Sequence, residues 1–165
     1  MRVWKFGNDV DTDAIIPGRY LTLNDPEELA AHAFEGTRND FARSVQPGDV
    51  IVAGRNFGSG SSREHAPLAL KGAGVRFVIA ESFARIFFRN AINIGLLPLV
   101  CEHTDEISDG AKAVVNLEES TLIVNGKTYA LEPIPAFVQD IVDAGGLVQY
   151  ARGLKEGVTC TVLQR

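Results

Sequence analysis

The sequence predicts a single α/β domain over residues 1–165, with a mainly parallel central sheet and an added antiparallel hairpin portion. Three observations support this fold class. Apolar runs alternate with helical patterns between residues 50 and 100, as in successive strand–helix–strand units. A strong hairpin turn, Asn125-Gly126, separates two alternating segments later in the chain. The 165 residues are 45% hydrophobic and 22% charged, which is enough for one sizeable core.

The first part of the chain carries a strand, a polar loop and a helix. An apolar run over residues 3–6 predicts a short strand, and residues 8–13 are polar enough for a loop. Residues 25–28 read Asp-Pro-Glu-Glu, which is typical of a helix start with Asp25 as the N-cap. We expect that helix to end near Gly36.

The middle of the chain alternates strands with helices. The strand runs are apolar, and glycines follow each helical pattern. Because each pair of consecutive strands is connected through a helix, the strands should lie parallel in one sheet. The predicted elements are a strand at 50–53, a glycine-rich loop at 54–62, a helix at 63–71, a strand at 75–80, a helix at 82–93 capped by Ser82, and a strand at 96–100.

The last part of the chain adds the antiparallel portion and a closing helix. Asn125-Gly126 is a preferred two-residue turn between hairpin strands. An amphipathic pattern over residues 136–150 predicts one final helix. The alternating segments predict three strands, at 114–117, 121–124 and 128–131.

Composition narrows the function classes. The net charge is -5, from 16 Lys+Arg and 21 Asp+Glu, so no broad positive field exists for a dedicated nucleic-acid binder. Cys101 and Cys160 stand far apart without a Cys-x-x-Cys pair, so we expect no metal site and no cluster in this chain alone. No apolar run approaches the roughly 18 residues of a membrane span, and we expect a cytoplasmic protein.

Residues 58–65 are the most informative stretch, because they join the carboxyl end of a strand to the start of a helix. Ligands favour that place in open α/β sheets, and backbone amides there attract anions. Arg63 adds a fork of donors that matches a carboxylate, and Ser61 and Ser62 place two hydroxyls beside it. The alternative is a plain turn in which a serine caps the helix and Arg63 is solvated. The dinucleotide fingerprint fails, because Arg63 stands where it needs Gly or Ala.

Three motifs resemble those of the swivelling domain of the aconitase superfamily. They are Gly-Ser-Ser-Arg-Glu-His-Ala at 60–66, Asp-Thr-Asp-x-Ile-Ile-Pro at 11–17, and Ser-Phe-Ala-Arg-Ile-Phe at 82–87 followed by Asn90, Asn93 and Gly95. They follow in the right order and are spread over most of the range from residue 3 to residue 100. A short free-standing chain of this kind resembles the small subunits of the isopropylmalate dehydratase family, which are hydro-lyases of leucine biosynthesis.

The resemblance implies roles for four residues. Ser61 would be the catalytic base that takes a proton from a substrate carbon, and Asp13 would be a second catalytic residue. Ser62 and Arg63 would bind the substrate. A serine hydroxyl is a poor base at pH 7, so the alkoxide needs helix N-terminal amides and Arg63 in a site closed to water. The alternative for Asp13 is an Asx-turn residue in a loop with three aspartates.

The resemblance also implies a partner. A [4Fe-4S] cluster, whose open iron binds the substrate hydroxyl as a Lewis acid, would be held by a separate large subunit in a heterodimer or heterotetramer. Arg85 and Arg89 share one helical face that would meet that subunit, meet a carboxylate or be solvated. The histidines are expected in structural or solvated roles, with His65 hydrogen-bonded within the motif, His32 on a helix surface and His103 in a loop.

The family has a variable loop that approaches the side group of the substrate, and here it contains Thr22 and Leu23. Without a cation at these positions a third carboxylate would be unpaired, whereas Leu23 suits an alkyl group. The loop therefore favours isopropylmalate, unless Arg19 turns inward. The alternatives are the small subunit of homoaconitase or of a citramalate- or dimethylmalate-type dehydratase, and, in a different class, a non-enzymatic anion-binding module.

Overall fold

The computed structural model describes the backbone of residues 1–162 and the side chains of residues 1–155. Two 3₁₀ turns, at Gly18–Tyr20 and Thr104–Glu106, accompany the regular elements. The strands are β1 Val3–Lys5, β2 Val50–Ala53, β3 Phe77–Ala80, β4 Leu97–Val100, β5 Ala113–Asn116, β6 Thr121–Val124 and β7 Lys127–Ala130. The helices are α1 Thr12–Ile15, α2 Pro26–Ala30, α3 Phe41–Ser44, α4 His65–Gly72, α5 Arg85–Asn93, α6 Ala136–Asp143 and α7 Leu147–Val162.

The central sheet is fully parallel, as predicted. Its strand order is β1-β2-β3-β4, with Val50 opposite Val3 on one side and Phe77 on the other. Every residue of β2 and β3 is buried, which explains their continuous apolar runs. The parallel order brings the carboxyl ends of all four strands to one edge of the sheet.

A separate three-stranded antiparallel sheet, β5-β6-β7, confirms the predicted hairpin portion. Asn125 and Gly126 have φ of 50° and 85°, the left-handed values that a tight hairpin turn requires. Leu122 and Tyr129 face each other across β6 and β7, and both are buried. This sheet covers one face of the parallel sheet.

The two faces of the parallel sheet carry two apolar clusters, because successive strand residues point to opposite sides. Ile51 contributes to the cluster beneath α1, α2, α4 and α5, whereas Val50 and Val52 contribute to the cluster beneath the antiparallel sheet and α6. The single domain predicted for residues 1–165 extends beyond the described residues and stays a prediction. Among those described, no helix is long and apolar enough to cross a membrane.

A buried carboxylate connects the start of the sheet to the turn before β2. Asp49 accepts hydrogen bonds from the Trp4 indole at 3.0 Å, from Arg2 N at 3.1 Å and from Gln46 N at 3.0 Å. Burial acts to raise the pKa of Asp49, and these hydrogen bonds outweigh burial, so that the pKa lies below its ordinary value. The ionised form of Asp49 therefore stabilises the folded chain.

The predictions for α2, for α5 and for the last helix are wrong in detail. Asp25 caps α2 as expected, but the regular helix ends at Ala30 and irregular turns lead to Gly36. Ser82 does not cap α5, because its hydroxyl accepts from Asn56 N at 2.9 Å and the helix begins three residues later. The last predicted helix is two helices, since Gly145 and Gly146 have φ of 91° and 132° and interrupt it.

Candidate active site

The loop that follows β2 is held on both sides by neighbouring backbone. Gly58 N donates to Val10 O at 2.7 Å, and Thr12 N donates to Ser59 O at 2.8 Å, which joins this loop to the one after β1. On the other side, Phe57 N donates to Ser82 O at 3.0 Å in the loop after β3. The motif loop therefore lies beyond the carboxyl ends of three adjacent strands, where ligands bind in this fold class.

Gly58 is required by the space available to this loop. Its φ is +79°, and a Cβ there would lie 2.1 Å from Phe87 Cγ. Phe87 is buried and packs edge-on against Phe57, with ring centroids 5.2 Å apart. The loop thus passes directly over the aromatic core of α5, and only glycine permits that approach.

Ser61 and Ser62 are both exposed and precede the helix rather than capping it. α4 begins at His65, with Glu64 as its N-cap, two residues later than predicted. Pro67 gives the physical reason: a helix starting at Arg63 would need a backbone N–H at position 67, which proline lacks. The helix that was expected to offer its N-terminal amides to Ser61 therefore begins four residues after it.

The backbone of Ser61 is fixed although its side chain is exposed. Its carbonyl oxygen accepts from Thr12 Oγ1 at 3.3 Å and from Arg63 N at 2.8 Å. The Thr12 side chain is almost completely buried in the first turn of α1. Thr12 thus connects the two motifs, a contact that the sequence analysis missed because Thr12 had been placed in a polar loop.

Arg63 and Asp13 form a direct ion pair, although they lie 50 positions apart. Arg63 Nη1 donates to Asp13 Oδ1. The Asp13 side chain is 60% exposed, and that of Arg63 is 22% exposed. The Asx role that had been the alternative for Asp13 belongs to Asp11, whose carboxylate accepts from Ala14 N at 2.6 Å and caps α1.

The loop over residues 17–24 starts against this ion pair. A Cβ on Gly18 would lie 3.5 Å from Asp13 Oδ1 and 3.6 Å from Arg63 Nη1. Further along the loop, Thr22 is exposed, and Leu23 is half-buried against the core. Thr22 and Leu23, which are predicted to contact the side group of the substrate, therefore lie four and five positions after the residue that meets Asp13.

Arg19 is engaged elsewhere in the free chain. Its guanidinium donates to Glu35 Oε1 and lies over the Tyr20 ring, 4.9 Å from the centroid. Hydrogen bonds from Tyr20, His32 and Arg19 lower the pKa of Glu35 to about 2. Glu35 does not stand out in the sequence, because neither its spacing nor its neighbours distinguish it from a surface acid.

The described residues contain no group of three or more His, Cys, Asp or Glu side chains that could hold a metal ion. Cys101 is buried in the second cluster, and burial raises the pKa of its thiol. The side chain of Cys160 lies outside the described residues. The donor set described here therefore does not fit a [4Fe-4S] cluster, which needs several thiolates.

The histidines occupy structural or exposed positions. His32 lies in the turns after α2 and contacts Glu35 through Nδ1 at 2.7 Å, and His103 is exposed in a loop. His65 is half-buried, and its ring has no hydrogen-bond partner within residues 1–155, so its expected hydrogen bond within the motif is not found. Arg85 and Arg89 are both exposed on α5.

Comparison with known proteins shows the family to which this chain belongs. Residues 38–104 match the Aconitase C-terminal domain family. The chain is 61% identical to the 3-isopropylmalate dehydratase small subunit of Methanosarcina acetivorans over 155 residues, covering 93% of this chain and 96% of that protein. The chain belongs to the family of 3-isopropylmalate dehydratase small subunits.

Other small subunits extend the likeness. That of Archaeoglobus fulgidus, small subunit 1, is 55% identical over 94% of this chain and 98% of its own length. The isopropylmalate/citramalate isomerase small subunit of Methanocaldococcus jannaschii is 53% identical over 92% of both chains. A crystal structure of 3-isopropylmalate dehydratase from the same organism superposes with a TM-score of 0.93 at 49% identity, covering 97% of this chain and 96% of that one. The resemblance carried by the three motifs is confirmed, and so is the fold class predicted from the alternation of strands and helices.

Proposed function

We propose that this chain is the small subunit of a hydro-lyase that interconverts 2-isopropylmalate and 3-isopropylmalate by dehydration and rehydration, in leucine biosynthesis. The observation that carries this proposal is the ion pair between Asp13 on α1 and Arg63 on the loop of Ser61, in a chain 61% identical to a named small subunit. In this proposal the chain is active only with a large subunit, as a heterodimer or heterotetramer.

We assign proton abstraction to Ser61. The two hydrogen bonds to its carbonyl hold the backbone of Ser61 against Thr12 and Arg63, and they involve no atom of its side chain. An alkoxide requires nearby donors and the exclusion of water. Arg63 supplies the charged donors, but Ser61 and Ser62 are exposed in this chain. We infer that the large subunit covers this surface and closes the site to water.

Arg63 is assigned to a substrate carboxylate, together with the Ser62 hydroxyl. Within the described residues, Asp13 is the one acid in ion-pair distance of Arg63, and it engages Nη1. The other guanidinium donors therefore stay available for a second carboxylate. Asp13 orients Arg63 in this arrangement and is assigned, with Ser61, as the second catalytic residue.

The substrate side group is assigned to Thr22 and Leu23. Neither residue carries a charge that would pair with a third carboxylate, whereas Leu23 offers an alkyl surface. Arg19 is held by Glu35, which disfavours homocitrate-type acids in this loop conformation. A citramalate-type activity is the second candidate, because a relative of 53% identity is named isopropylmalate/citramalate isomerase small subunit.

We assign the [4Fe-4S] cluster to the large subunit, because the described residues of this chain do not form a ligand set for it. The test is anaerobic co-purification of the two chains, followed by kcat/KM measurements on 3-isopropylmalate, citramalate, dimethylmalate and homocitrate-type acids. We expect activity only from the complex and the highest kcat/KM with 3-isopropylmalate. Iron-sulfur absorption on this chain alone, or a loaded complex inactive on every acid, would contradict the proposal and favour an anion-binding module.

A further inference from the structure

Glu35 joins three side chains from two segments of the chain. The Tyr20 hydroxyl donates to its carboxylate at 2.9 and 2.8 Å, Arg19 donates to Oε1, and His32 Nδ1 lies 2.7 Å from Oε2. His32 also stacks on the Tyr20 ring, with centroids 3.7 Å apart. We call these four residues the Glu35 cluster. Glu35 thus binds two consecutive residues, Arg19 and Tyr20, of the loop over residues 17–24.

The clamped residues adjoin the candidate active site directly. Gly18, the residue before them, lies against the Asp13–Arg63 pair, and Gly18–Tyr20 form one 3₁₀ turn. Leu23 N donates to Tyr20 O at 3.0 Å, so the rest of the loop folds back onto the clamped residue. The path of Thr22 and Leu23 therefore depends on how Tyr20 is held, together with the packing of Leu23 against the core.

The segment that carries Glu35 is hydrogen-bonded to α1. Phe34 N donates to Ile15 O at 2.8 Å, and Thr37 Oγ1 donates to Ala14 O at 3.2 Å. Phe34 is fully buried and adopts φ of 58°, an unusual value for a bulky residue. The carboxylate thus has a fixed position relative to the helix that carries Asp13.

We propose that Glu35 is a positioning residue that sets the substrate specificity of this site, by anchoring Tyr20 and by withholding Arg19 from the substrate. The inference rests on the proposed function. The physical basis of this role is charge. Arg19 is the one cation between residues 17 and 24, and the Glu35 carboxylate pairs with it. An unpaired Arg19 would attract a third carboxylate of the substrate. The lowered pKa of Glu35 keeps it ionised throughout the usual assay range.

The test uses Glu35→Gln with Glu27→Gln as a matched control. Glu27 is exposed in the first turn of α2, and its side chain makes no hydrogen bond or ion pair within the described residues. Hydrogen exchange on the free chain should show residues 18–23 exchanging about three- to tenfold faster in Glu35→Gln, because local opening governs exchange. The Glu27→Gln chain should exchange like the wild type.

The second measurement uses the complex reconstituted with the large subunit. For Glu35→Gln we expect KM for 3-isopropylmalate to rise about three- to tenfold with a smaller change in kcat, because the loop positions the side group. The ratio of kcat/KM values should move toward homocitrate-type acids, since Arg19 is released. Tyr20→Phe, which keeps the ring stacked on His32 but removes the hydroxyl, should raise KM in the same direction by less.

Equal exchange rates and equal specificity ratios in the Glu35→Gln and Glu27→Gln proteins would overturn the positioning role. If Glu35→Gln does not fold, hydrogen exchange and the specificity ratio are measured on Tyr20→Phe instead. Wild-type values in both measurements would equally overturn the positioning role. A wild-type complex inactive on every acid would instead remove the proposed function. The exchange measurement on the free chain would then still test the anchoring of the loop by itself.

Discussion

Replacing Gly58 by alanine should destabilise the fold through the site loop. Gly58 has φ of +79°, where a Cβ costs about 1–2 kcal/mol. That Cβ would also lie 2.1 Å from Phe87 Cγ, in a ring that packs against Phe57 at 5.2 Å and Phe83 at 6.3 Å. Because overpacking a filled core costs about 1–3 kcal/mol, the total loss of unfolding free energy should be about 2–5 kcal/mol.

Gly110→Ala separates the two contributions. Gly110 has φ of +73°, but a Cβ there meets no atom within 4 Å, so this variant carries the backbone cost without the clash. Urea unfolding followed by circular dichroism should show a loss of about 1–2 kcal/mol for Gly110→Ala and a clearly larger one for Gly58→Ala. Equal losses in the two variants would refute the argument that the loop and Phe87 leave no room for a side chain.

Three further changes test the site and the core. Arg63→Lys should lower kcat/KM of the complex about 10–100-fold, because an ammonium cannot bind a carboxylate bidentately; a normal value would remove Arg63 from the site. Thr22→Arg should shift the kcat/KM ratio of 3-isopropylmalate to homocitrate-type acids toward the latter by about one to three powers of ten, and an unchanged ratio would mean that this residue does not contact the side group. Asp49→Asn should lower the unfolding free energy at pH 7 by about 1–3 kcal/mol, since three donors lose their charged acceptor. Because folding lowers the pKa of Asp49, this stabilisation is present above about pH 4 and is lost as the pH falls through the pKa of the folded state. The unfolding free energies of Asp49→Asn and the wild type, measured in urea, should therefore converge in acid. A difference that persists in acid would disprove the link to the ionisation of Asp49.

The parallel sheet was predictable because its information is local. The apolar runs of β2 and β3 are unbroken, and the connections from β2 to β3 and from β3 to β4 leave room for one helix each. The Asn125-Gly126 turn likewise requires a backbone conformation that few other residue pairs adopt, so it fixed the hairpin in advance. Such signals do not depend on the rest of the fold.

The start of α4 was missed although its signal was present. Pro67 has no N–H and therefore excludes a helix that begins at Arg63, but the glycine- and serine-rich motif suggested a cap instead. Ser82 was misread for a different reason: its hydroxyl is taken by Asn56 N, a contact between two loops that only the folded sheet brings together. Local propensity cannot show that a distant backbone N–H will bind a hydroxyl that could otherwise cap a helix.

The residues of the candidate site were predictable, but their contacts were not. The motifs singled out Ser61, Arg63 and Asp13, whereas the ion pair between the last two joins residues 50 positions apart. Tertiary packing also produces the hydrogen bond from Thr12 to the Ser61 carbonyl and the hydrogen bonds that join the segment of Glu35 to α1. Sequence patterns therefore singled out the candidate residues, and the fold shows which groups contact them.

The most direct test of the central claim is whether Ser61 removes the substrate proton. The measurement follows the loss of deuterium to solvent water from the substrate carbon next to the one that bears the hydroxyl, in the complex with the large subunit. Ser61→Ala should assemble normally and reduce the washout rate by about 10²–10⁴-fold, whereas Ser62→Ala should mainly raise KM. Washout at the wild-type rate in the Ser61→Ala complex would contradict the account.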